Sequence, residues 1–211
     1  MGTITLGLLI AIGLEQSVEW SHHRHQLHEL HEGLQEDTEK AIRDSQHIET
    51  RVQVSVEWLD QQEAEVRATI TRKKSIIDLP PHQHVEIDLP GAPSWRAAKA
   101  GGLLQIVSQQ DIQAYSEVDD LIVQDDAAYV RSSDTVSKRL AFEKQFATDE
   151  ESNRHDFGRA TEAQLQEYIR LLEEEKNAYL WWGSWAHQIR GAETAISHGE
   201  RNLDKIQAAE R

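Results

Sequence analysis

The sequence predicts an all-α protein: an elongated antiparallel helical bundle with a long amino-terminal helix that begins as a membrane segment and continues as a stalk. Three observations lead there. Residues 14–77 contain no proline and one glycine, Gly33, all four prolines fall between Pro80 and Pro93, and the apolar residues recur at helical rather than alternating spacing. With 38% apolar and 28% charged residues, the 211-residue chain suits amphipathic helices better than a thick globule.

The amino terminus comes first. Residues 3–14 form an uncharged apolar run, and Glu15 ends it. As a helix this run is roughly 18 Å long, whereas a hydrocarbon core of about 30 Å needs about 20 residues. Residues 1–14 are therefore expected to be the shortened end of a transmembrane anchor. An interfacial or signal-type segment and a buried core helix are the competing readings. Thr3, Gly7 and Ala11 repeat at four-residue spacing and add a weak small-residue stripe of the kind that lets membrane helices approach closely.

Residues 15–77 read as one long stalk helix. Trp20, Leu27, Leu34, Ala41 and Ile48 are seven apart, a coiled-coil-like seam that Leu59, Val66 and Ile70 extend. Gly33 or Asp44-Ser45 are the places where it would kink or break. Residues 78–93 form a proline-rich loop, with residues 84–89 alternating as a lone edge strand might. Residues 94–211 complete the bundle. Ser94 is expected to cap a short helix from Trp95 to Gly101-Gly102, and Ser108 to cap a helix reaching about Phe146, with Tyr115, Val118, Ile122, Tyr129, Val136 and Leu140 inward. Thr161 and Gln164 fit a capping box for a last helix to about Gln207, with Leu165, Tyr168, Leu172, Tyr179, Trp182, Ala186, Ile189, Ile196 and Leu203 inward.

The apolar Thr5-Leu6-Gly7-Leu8-Leu9-Ile10-Ala11 running into Leu14-Glu15-Gln16, a long charged helix, and Ser94-Trp95-Arg96-Ala97-Ala98-Lys99-Ala100-Gly101 after a proline-rich loop together resemble a group of uncharacterised bacterial proteins. Those proteins have one amino-terminal membrane anchor and a helical body. The likeness spans much of residues 3–125. It implies an anchor whose first half lies upstream of Met1, and it brings no activity or catalytic residue.

Charge and composition narrow the function. A net charge of −15 argues against nucleic acid and anionic surfaces, and the absence of cysteine removes disulfides, thiolate zinc sites and thiol nucleophiles. The conspicuous chemistry is His22-His23-Arg24-His25-Gln26-Leu27-His28-Glu29-Leu30-His31-Glu32. On a helix, His22, His25 and Glu29 share a face opposite Trp20 and Leu27, so they are the candidate ligands for a divalent metal such as zinc, completed from another helix or subunit. The bland alternative is a solvated face of His–Glu pairs. The acidic runs Asp125-Asp126, Asp149-Glu150-Glu151 and Glu173-Glu174-Glu175 read as solvated faces too. Trp181 and Trp185 are candidate partner-binding residues, weighed against core packing. Gly183-Ser184-Trp185 lacks the flanking glycines of a nucleophile elbow.

The expectation is a single-pass protein of the bacterial cell membrane, its bulk extracytoplasmic, acting as a scaffold through protein partners and self-association in parallel. The alternative is an extracytoplasmic pH- or metal-responsive sensor module. A hydrolase-type enzyme stands third, and no cofactor is expected.

Overall fold

The computed structural model describes residues 2–72, 76–78, 87–147 and 154–203, with side chains of the first helix from Glu15 onward, Gln16 excepted. Four α-helices build it: α1 (Gly2–Arg72), α2 (Pro93–Ala100), α3 (Gln109–Glu143) and α4 (Glu162–Ser197). Two three-residue strands, β1 (Ile76–Asp78) and β2 (Arg154–Asp156), pair antiparallel with Ile77 opposite His155.

α4 is the central element. It runs antiparallel to α1, as Arg67–Glu173, Val52–Gly183 and Thr38–Glu193 show, and antiparallel to α3, as Glu143–Tyr168 and Tyr129–Trp182 show. α1 enters the core by a regular seam. Leu34, Thr38, Ala41, Ser45, Ile48, Val52, Ser55, Leu59, Gln62, Val66 and Thr69 alternate in steps of four and three and are all buried. That is the spacing by which one helix keeps a stripe against its neighbours over many turns.

Local sequence chemistry sets the helix ends. Ser108 Oγ accepts from Asp111 N at the start of α3. At the start of α4, Thr161 Oγ1 accepts from Gln164 N while Gln164 Oε1 accepts from Thr161 N, the reciprocal pair that satisfies two orphan donors. Thr161→Ala is expected to cost about 1 kcal/mol, read as a lower urea midpoint at unchanged slope. Gly102 turns the chain after α2 at φ 73°, a left-handed conformation that favours glycine.

Several expectations need correction. Among the described residues no helix is long and apolar enough to cross a membrane. The single-pass anchor at residues 1–14, and with it the membrane localisation and extracytoplasmic bulk, is not supported, because Glu15 and Glu19 follow the short apolar run on the same helix. Ser94 does not cap α2. Pro93 occupies the first turn instead, and Ser94 N donates to the Asp37 carboxylate of α1 at 2.8 Å. Gly33 allows that approach, since a Cβ there would lie 2.7 Å from Ser94 Oγ. α1 does not break at Gly33 or Asp44-Ser45.

Residues 87–89 form no strand, and residues 79–86 of the proline loop lie outside the described residues. α4 ends at Ser197, with residues 204–211 also outside them. Tyr129 and Leu140 face solvent at 39% and 52% exposure. The stripe of α3 passes through Asp125, Ala128, Ser132, Thr135 and Arg139 instead.

Candidate functional site

α1 is about twice the length of α3 or α4, and every buried side chain described on it lies at Leu30 or beyond. Its first 28 residues, about 42 Å of helix, thus run past the packed part of the bundle. The described contacts along this stretch are between neighbours on the same helix. The Arg24 guanidinium lies 5.5 Å over the Trp20 ring, and Trp20 is still 65% exposed.

The histidine motif falls here. His25 Nε2 lies 3.1 Å from Glu29 Oε1 and His28 Nε2 3.4 Å from Glu32 Oε1, both one turn apart. His22 lines a shallow depression with Glu15, Val18 and Glu19. The structure therefore brings together His25 and Glu29 of the candidate metal set, with His22 one turn away. Among the described residues no group of three or more histidines and carboxylates gathers closely enough to hold a metal ion.

The tryptophan cluster divides. Trp181 is 38% exposed, with the Arg131 guanidinium 5.2 Å over its ring. Trp185 meets it edge-on at 6.2 Å but packs against the hydrophobic core, and Trp182 is fully inside. The pair thus presents one outward ring and one ring at the core's edge.

The chemistry the sequence reading missed is buried. Arg139 of α3 donates from Nε to Glu175 Oε2 at 2.6 Å and from Nη1 to Glu143 Oε1 at 2.7 Å. Tyr168 Oη donates to the same Glu143 oxygen at 2.5 Å, and the Trp58 ring of α1 stacks 4.8 Å from the guanidinium. Arg139, Glu143, Tyr168 and Glu175 are each no more than 5% exposed. Burial raises the Glu175 carboxyl, and Arg139 only partly opposes it. One cation shared by two carboxylates is held inside the bundle.

Two further carboxyls lie in the core with no cation. Asp125 is 0% exposed and neither oxygen has a hydrogen-bond partner, while the indole N–H of Trp182 is likewise unpartnered. Burial pushes Asp125 up to about 7; the neighbouring Trp182 indole N–H, short of hydrogen-bond geometry, opposes the rise only in part, and Asp126 adds to it. Glu193 is 2% exposed and accepts from Thr38 Oγ1 at 2.8 Å. Burial likewise takes it to about 7, with Thr38 lowering it and the Asp37 charge adding to the rise. Reading Asp125-Asp126 and Glu173-Glu174-Glu175 as solvated faces was thus wrong for Asp125 and Glu175.

A usable signal was present. Val118, Asp125, Ser132 and Arg139 are seven apart, as are Tyr168, Glu175, Trp182 and Ile189, and Leu165, Leu172, Tyr179, Ala186 and Glu193. Following each stripe through its polar members locates Asp125, Glu175 and Glu193. No family model, curated protein or solved structure matches the chain.

Proposed function

We propose that this protein is a helical scaffold that works through protein contacts, with the projecting stretch of α1 as its contact surface. One observation carries this reading: the heptad seam that packs α1 into the bundle continues beyond it, through Leu27 to Trp20, where Trp20 is 65% exposed. A large aromatic exposed in register with an interface fits a surface that another chain completes, since aromatic residues are enriched in the buried part of interfaces. The −15 net charge keeps the remainder of the molecule soluble and apart from polyanions.

Site-specific photo-crosslinking tests this. A photoreactive phenylalanine analogue at Trp20 or Leu27, in cells making the chain at its natural level, is expected to give protein adducts. The same analogue at Glu29, on the far face, is expected to give none. Absence of adducts at both seam positions contradicts the reading.

A second reading draws on the His25–Glu29 and His28–Glu32 pairs: a pH- or metal-responsive module. Under it, zinc shifts helicity or oligomeric state in the parent and not in a His22→Ala/His25→Ala variant; a shift surviving both substitutions rejects it.

A further inference from the structure

We infer that the partner of the projecting α1 is a second copy of this chain lying antiparallel to it, so that the uncharged residues 3–14 of each copy cover the stripe through Trp20 of the other. This inference rests on the scaffold reading and names its partner.

The need for a cover comes from the sequence of the helix. Residues 3–14 contain no charged side chain, and they belong to the first 28 residues of α1, which run past the bundle. An apolar run of this kind is costly to leave in water, and among the described residues no helix is long and apolar enough to cross a membrane. Trp20, His23, Leu27, Leu30 and Leu34 follow one another in steps of three and four, the last two buried in the bundle. The same count carried toward the amino terminus passes through Gln16, Gly13, Leu9 and Leu6, so one heptad stripe serves both halves of the projection.

Steric clearance sets the orientation. A parallel copy would bring its own helix, from Leu30 onward, onto the stripe that the bundle already covers. An antiparallel copy runs the other way and leaves the two bundles at opposite ends of the shared stretch, related by a two-fold axis. The heptad then restricts the register, because antiparallel layers pair one kind of core position with the other. Trp20 can lie opposite Gln16, Leu9 or Gly2 of the second copy. Opposite Gln16, residues 2–6 would press on Leu30 and Leu34 inside the bundle. Opposite Gly2, the overlap ends at Trp20 and leaves His23 and Leu27 uncovered. Opposite Leu9, the overlap spans residues 2–27 and stops just short of Leu30. In that register Gly13 is the next stripe position beside Leu9 and leaves room for the indole, and His23 lies opposite Leu6. On the flanks Glu19 faces Ile12 and Arg24 faces Thr3, so no like charges are opposed in a chain carrying −15.

The chain has no cysteine, so introduced thiols report the pairing cleanly. Positions 9 and 20 are about 16.5 Å apart along one helix, beyond the roughly 7 Å between Cα atoms that a disulfide spans. In the full chain, Leu9→Cys/Trp20→Cys is expected to form a covalent dimer under mild oxidation, while Leu9→Cys and Trp20→Cys alone are not. Leu6→Cys/His23→Cys repeats the test with Trp20 in place. In sedimentation the parent should run at twice 24.1 kDa and Trp20→Glu at 24.1 kDa.

The masses of the photo-adducts at position 20 separate this inference from the scaffold reading. An adduct at twice the chain's mass supports the second copy. Adducts of other masses only, with the parent a monomer in sedimentation, overturn the second copy and leave the scaffold reading standing. No adduct at position 20 or 27 overturns both. A parent dimer in which single-thiol variants cross-link as well as the double ones, or in which Leu6→Cys/His23→Cys does not cross-link, overturns the antiparallel pairing.

Discussion

Arg139→Ala is expected to cost about 3–5 kcal/mol of stability, the range for breaking a buried ion pair from one side. The guanidinium is 4% exposed, and it is the cation within hydrogen-bond reach of both Glu143 and Glu175. Removing it strands two carboxylates in the core and empties the space beside Trp58. The loss should depend on pH with a definite sign. Glu175 is already raised by burial, and without Arg139 it rises further. A carboxyl raised in the folded state leaves stability intact at acid pH and reduces it as pH climbs through its folded value. Urea midpoints of the variant should therefore fall furthest above neutrality and approach the parent near pH 4. Replacing the charges together, as Arg139→Met with Glu143→Gln and Glu175→Met, should recover most of the loss, because the desolvation penalty leaves with the charge. A loss under about 1 kcal/mol for Arg139→Ala, equal at pH 4 and pH 8, contradicts this description of the core.

Asp125→Asn is expected to act in the opposite direction. The carboxyl at 0% exposure sits at about 7 instead of 3.8, so the folded state stays neutral where the unfolded chain has ionised. Its stability is fully present below the unfolded value and falls as pH rises through about 7, a drop of about 4 kcal/mol for roughly three units. Glu193, also at about 7, adds about 3 kcal/mol in the same sense. Asp119 works against this on the acid side. Burial raises Asp119, yet Arg96 and Lys99 outweigh it and hold the carboxyl low, so that contribution disappears as pH falls below the ordinary carboxylate range. Together these place the stability maximum on the acid side of neutrality. Asp125→Asn should flatten the decline between pH 5 and pH 8, and Asp125→Asn/Glu193→Gln should flatten it further, leaving the part due to Glu175. Parallel profiles for parent and variants, by urea unfolding across that interval, contradict the assignment.

The sequence was most legible where one physical effect dominated. The continuous helix to Arg72, the Ser108 cap, the Thr161–Gln164 box and the inward Ile189 and Ile196 all follow from backbone chemistry or unmixed apolar spacing, whereas Leu203 is buried from a turn beyond α4 and not from the helix expected to reach Gln207. Ser94 misled because a serine before a helix is a good cap by itself, and its position in the first turn was decided by Pro93 and by Asp37, 57 residues away. The buried face of α3 was harder. Its spacing was regular, but Asp125, Ser132 and Arg139 occupy it, and a reading that looks for apolar residues slides to Tyr129 and Leu140 instead. Phe157 lies in a stretch that looks like a polar connection, yet it is 2% exposed against Phe146 and Tyr168. The apolar composition of residues 3–14 invites a membrane, but Glu15 and Glu19 end the run, and among the described residues no helix is long and apolar enough to cross one. Of the candidate site residues, pairwise helical geometry placed His25 beside Glu29, whereas convergence of a third ligand depends on chains or elements that one helix does not specify.

The central claim is that α1 carries two kinds of interface, one inside the bundle and one beyond it. Hydrogen exchange of the full chain, compared with Trp20→Glu, tests it most directly. Slow exchange is expected across residues 34–69 in both proteins. Residues 17–28 should be protected in the parent and exchange much faster in Trp20→Glu, with the bundle unchanged. Equal exchange of residues 17–28 in the two proteins, or loss of protection across the bundle together with them, contradicts the claim.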